Sequence, residues 1–190
     1  MIKTNYLALF AFVGISTLSQ AQSDAGTDAH TVQITIPSVA LVDIEPSGSK
    51  DIALAFAAPT EAGNPITAPT ANTTLWLNYS SIVATTGVTS RRINVKVSSG
   101  TIPPGTNLTV QAAAASGSGG GDVVATGSSV ITLTTTDQSL LTGIGSAYTG
   151  NGANNGHQLT YNLALASGGY ANLKSDASTT VTVTYTIADN

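Results

Sequence analysis

The chain has no cysteine among its 190 residues, which removes disulfides, thiolate metal sites and a cysteine nucleophile in one step. It also removes the lipid anchor that bacterial lipoproteins attach to an N-terminal cysteine. Stability outside a cell must then come from the core, or from the core together with neighbouring molecules.

Charge is the second scarcity. Asp, Glu, Lys and Arg make up 8% of the residues, against about 25% in an average soluble domain. The only adjacent basic pair is Arg91-Arg92, so the basic stripe that a phosphate backbone requires is missing and nucleic acid is disfavoured as a partner. A surface of Thr, Ser, Asn, Gly and Ala repels its neighbours weakly, which suits a protein that packs against copies of itself or works in the extracellular medium.

Catalytic constellations are scarce as well. Histidine occurs only at His30 and His157, with no third ligand at a recognisable spacing for zinc. The two glutamates, Glu45 and Glu61, lie beside turn residues, where solvated loop acids are expected instead of a carboxylate pair facing a cleft. No Gly-x-Ser-x-Gly elbow projects a serine nucleophile. Gly143-x-Gly145 and Gly150-x-Gly152 open no helix and lack a P-loop lysine, and Asp24 to Asp28 is too sparse for a calcium loop. The chain therefore reads as a non-enzyme, with no catalytic, cofactor-binding or metal-binding residues. Sequons at Asn72, Asn78 and Asn107 are what a Thr-rich chain yields by chance.

What is present begins with a leader. Residues 1–21 have the layout of a secretory signal peptide: Lys3, an apolar run over residues 6–15, and small residues at Ser19 and Ala21. The run is about half of the roughly twenty residues that span a bilayer, so cleavage after about Ala21 is expected, with the product secreted or held at the surface of a bacterial cell. No later segment is long and apolar enough for a transmembrane helix. Loss of Lys3 leaves five basic and ten acidic side chains, a net charge near −5. The remaining chain is long enough for one domain that buries roughly 70% of its unfolded surface. Residues 22–30, with Asp24, Gly26 and Asp28, read as a flexible leader, and residues 31–190 as the folded domain.

Period-two alternation dominates that domain. At the C-terminal end, Val181, Val183, Tyr185 and Ile187 share one face and threonines fill the other, the pattern of a half-buried strand integral to its own sheet. Val32, Ile34 and Ile36 repeat the pattern at the opposite end, stopped by Pro37. Between them, alternation or short apolar runs occur at residues 39–44, 52–56, 75–79, 93–97, 108–112, 123–124, 130–133, 140–144 and 159–165. Ala112 to Gly121 reads as a flexible hairpin tip. Nine to eleven short strands, turn signals every 8 to 15 residues and no helical period predict an all-β antiparallel sandwich, with a β-barrel as the alternative.

The alternating ends, the Gly/Thr/Ala-rich body, the export signal and the run Leu159-Thr160-Tyr161-Asn162-Leu163 ahead of the closing Thr-Val-Thr-Val-Thr-Tyr strand resemble bacterial fimbrial (pilin) subunits and spore coat protein U-like secreted proteins. The chain departs from many pilins in lacking a cysteine pair across its early strands. The resemblance implies a single immunoglobulin-like sandwich that assembles into a homo-oligomer or polymer by β-strand addition, with a secretion chaperone as a further partner. Val32, Ile34 and Ile36 are the candidate donor strand; Val181, Val183, Tyr185 and Ile187 form the candidate C-terminal core strand. The alternative is an extracellular sandwich that binds glycan or protein, an adhesin, whose aromatic contacts would be Trp76 and Tyr79, with Tyr148 and Tyr170 as further candidates.

Overall fold

The computed structural model of the chain describes residues 26–175 and 179–190, so the expected signal peptide lies outside the described residues. The chain divides into two units, Met1–Thr35 and Ile36–Asn190. In the first unit, residues 27–35 form no strand.

The second unit is an antiparallel β-sandwich of two separate sheets, not closed into a barrel. Ten strands are defined among its described residues: β1 (Val39–Glu45), β2 (Asn72–Ile82), β3 (Arg91–Ser99), β4 (Thr106–Ser116), β5 (Gly120–Gly121), β6 (Ile131–Thr132), β7 (Gln138–Ile144), β8 (Ala147–Tyr148), β9 (Gly156–Leu165) and β10 (Thr182–Asp189). Sheet one runs β1-β2-β9-β4-β6, with β8 and β5 continuing beside the C-terminal half of β2. Trp76, Leu77, Ser80 and Ser81 each pair with β1 on one side and with β9 or β8 on the other, so β1 is an edge. Sheet two has the order β10-β3-β7 and leaves β10 with one unpaired side.

Alternation explains which side chains enter the core. Leu75, Leu77 and Tyr79 of β2, Ile93, Val95 and Val97 of β3, Leu108, Val110 and Ala112 of β4, and Leu159 and Tyr161 of β9 are buried between the sheets, while the intervening residues face outward. Tyr161 and Tyr185 join the two sheets through a hydroxyl–hydroxyl hydrogen bond of 2.6 Å. Val181, Val183, Tyr185 and Ile187 are half-buried against this core, as expected of an integral C-terminal strand, though β10 begins at Thr182 and is an edge.

Several expectations change. The alanines Ala112–Ala115 extend β4 instead of forming a hairpin tip; the chain bends at Gly117 and Ser118, ahead of β5. Val123 and Val124 form no strand and pack as loop residues against the core. Residues 32–36 and 52–56 alternate as cleanly as β3 yet lie in no ladder; the second segment is followed by the isolated Ala57–Thr67 bridge and packs Ile52 and Leu54 against the core. Side-chain alternation specifies two faces, whereas a strand also needs a neighbouring backbone to receive its hydrogen bonds.

Candidate functional site

Two of the three expected donor-strand side chains, Val32 (70%) and Ile34 (82%), lie before the sandwich unit, and Ile36 (74%) is its first residue; all three are solvent-exposed. Exposed alternating aliphatics with no ladder are uncommon, because large apolar surface left in water costs free energy that a partner would recover. Residues 51–56 provide a counterpart within the sandwich: Ile52, Leu54 and Phe56 are half-buried while their neighbours face solvent, and no backbone ladder covers them.

The open edges of the two sheets, β1 and β10, approach each other along one side of the sandwich. Arg91, at the start of β3, closes one end of this seam. Only 5% exposed, its guanidinium donates from Nε to Asp189 Oδ1 (2.9 Å), from Nη2 to Ser38 Oγ (2.9 Å), and from Nη1 to Ile82 O (3.2 Å), Ser81 Oγ (3.4 Å) and Val39 O. One side chain thus ties β3 and β10 of one sheet to β1 and β2 of the other, at the point where the chain enters β1. The planar, five-donor fork of arginine suits this divergent set of acceptors; a lysine ammonium does not.

The outer face of sheet one carries a groove of about 340 Å³. Register places Leu41, Ser80 and Tyr148 in one row across β1, β2 and β8, with Asp43 and Asn78 in the next. Leu41 is 65% exposed and Tyr148 is 55% exposed. A methyl group on Gly120, paired opposite Tyr148, would lie 3.0–3.1 Å from the Tyr148 ring and hydroxyl, so the missing side chain lets the ring settle over the strand. Asn78 lines the groove while almost fully buried; its Nδ2 donates to Asn155 O at 2.6 Å, and its Oδ1 has no partner. Gly156, at φ 74°, has the left-handed conformation and lack of Cβ that let the Leu77 carbonyl and the Asn78 amide approach. Asp43 accepts from Lys50 Nζ at 2.7 Å and from the Ile44 amide at 2.8 Å, and the lysine contact foremost holds its carboxyl below the usual range.

The remaining predicted residues fall elsewhere. Tyr79, expected as a ligand contact, is instead a core residue, 3% exposed. It stacks on His157 with ring centroids 5.9 Å apart, and its hydroxyl accepts from the Val124 amide. The odd positions of β2 face inward, which takes this ring away from solvent. Trp76 lies half-buried on the outer face between Glu45 and Gln158, and Tyr170 is exposed in a short 3-10 turn, Gly169–Asn172. His157 is fully buried, with Nδ1 hydrogen-bonded to Ala113 O (2.8 Å) and Nε2 without a partner; burial pushes its pKa below the ordinary value despite that bond. Among the described residues no group of three or more His, Asp or Glu is placed to hold a metal, and no helix is long and apolar enough to cross a membrane. Arg91 and the groove were missed by sequence reasoning. The only signals were a lone basic pair and an aromatic candidate, Tyr148, with no indication of its neighbours. Comparison with family models, curated proteins and solved structures finds no match to this chain.

Proposed function

We propose that the protein is a non-catalytic structural subunit, secreted or held at the cell surface, that assembles by β-strand addition: residues 31–37 of one copy complete the sandwich of the next. The observation that carries this reading is the exposure of Val32, Ile34 and Ile36 in a strand-like pattern without a strand partner. Burying three large aliphatics contributes about 5–9 kcal/mol, and ordering seven residues costs about 7–14 kcal/mol. Ladder hydrogen bonds at about 1 kcal/mol each close the difference only where the acceptor presents unpaired backbone. The open edges of β1 and β10 and the unladdered residues 51–56 are such backbone.

The test is size-exclusion chromatography with negative-stain microscopy of the exported chain. Multimers or filaments are expected for the parent protein, and monomers for Ile34→Asp, because a carboxylate at the centre of the donor row cannot be buried unpaired. Deleting residues 22–37 should also give monomers, which an added peptide of residues 31–37 binds and stabilises. A parent that stays monomeric, or an Ile34→Asp variant that assembles like the parent, refutes the assignment.

A further inference from the structure

We infer that the outer-face groove between Leu41 and Tyr148 is a binding site for a neutral pyranose unit, built from the side chains on the outer face of β1, β2 and β8. Three features select this chemistry. Leu41 and the ring of Tyr148 are large apolar groups left in water at a concave place, and a pyranose offers an apolar C–H face to pack against them. Asn78 Oδ1 is a buried acceptor without a donor, and such an orphan is costly unless a ligand or water supplies one. That oxygen is closed off from the groove surface, so a sugar hydroxyl donates to it once the Asn78 amide turns outward; a purely apolar ligand would offer it no donor.

Charge narrows the class further. Among the described residues, Asp43 is the only ionisable carboxylate or cation lining the groove, and the nearby cation Lys50 already pairs with it. An acidic sugar would meet that carboxylate with no free cation to offset it, whereas a neutral sugar can donate hydroxyls to it. Ser80 and Asn151 complete a polar rim around the apolar pair. The volume lies at the lower end of the range for small-molecule sites, which suits one sugar residue of a longer glycan and a weak, millimolar affinity per site.

Saturation-transfer difference NMR with the methyl glycosides of glucose, galactose, mannose and N-acetylglucosamine tests this on the full exported chain, whatever its assembly state. At least one glycoside should show saturable transfer concentrated on the protons of one ring face. Tyr148→Ala removes an exposed ring and threatens no core contact, so it should fold and weaken that binding by about tenfold or more. Trp76→Ala, on the same sheet face but outside the groove, should leave affinity within about twofold. Absence of saturable transfer from every neutral glycoside, or equal binding by Tyr148→Ala, overturns the site; so does a response confined to an acidic glycoside or to a peptide. Assembly is scored separately, because Tyr148→Ala should form the same multimers as the parent.

Discussion

Replacing Arg91 by methionine should lower the stability of the sandwich by about 3 kcal/mol. The methionine keeps most of the buried stem and removes every donor. Of the five acceptors, Asp189 has a side chain that is 55% exposed and regains water when the guanidinium leaves, so its share is below about 1 kcal/mol. Ser38 and Ser81 can turn their hydroxyls toward other partners. The part-buried carbonyl groups of Val39 and Ile82 stay opposite each other in the β1–β2 ladder, and Ile82 O keeps Ser38 Oγ, so what each loses is a charge-assisted hydrogen bond, worth about 1.5–3 kcal/mol. These two terms give about 3 kcal/mol at their lower end, in line with the cost of removing one member of a buried polar cluster. With a urea m-value of about 2 kcal/mol/M the unfolding midpoint falls by about 1.5 M. Urea titrations of the parent, Arg91→Met, Arg91→Lys and Asp189→Asn at neutral pH measure this. The expected order of loss is Met, then Lys, then Asn, with Asp189→Asn costing below about 1 kcal/mol. A loss under about 0.5 kcal/mol for Arg91→Met, the size of an ordinary surface substitution, would refute the claim that this side chain joins the two sheets.

Two pH dependences follow from buried rings. His157 has its pKa lowered, chiefly by burial, so the unfolded chain binds a proton near pH 6.5 while the fold still excludes it; stability should fall as pH drops below about 6.5, and His157→Phe should flatten that part of the urea-midpoint profile. Burial raises Tyr161 to about 12 and also raises Tyr185. Their contribution is complete below the unfolded value of about 10 and is lost as pH climbs toward the folded values. Tyr79 is raised by burial as well, so tyrosinate absorbance should show three tyrosines that titrate only with alkaline unfolding, and Tyr161→Phe/Tyr185→Phe should remove two of those three.

Strand positions and faces were legible because they depend on neighbours in sequence. The alternation through Leu75, Leu77 and Tyr79, and through Ile93, Val95 and Val97, assigns both the strand and its buried side, since a pleated backbone turns successive side chains to opposite faces. The reading of Tyr79 as a ligand contact rested on its being aromatic, whereas its parity with Leu75 and Leu77 in β2 turns the ring inward onto His157. At the N-terminal end, alternation through Val32, Ile34 and Ile36 has the strand period, yet these residues form no strand, because the pattern is silent on whether the chain has a backbone to pair with them.

By itself, then, the sequence determined the class of the fold, the residues of most strands, the inward row of each and the shortage of charge at the surface. All of these follow from local geometry and composition. Tertiary structure alone decided which strands became edges, that residues 32–36 and 52–56 remain outside any ladder, and that Arg91 is buried. It also decided that Leu41, Asn78 and Tyr148, from three different strands, share one groove. The physical reason is common to all of them: hydrogen-bond pairing and burial depend on segments tens of residues apart, and only the folded chain brings those segments within reach.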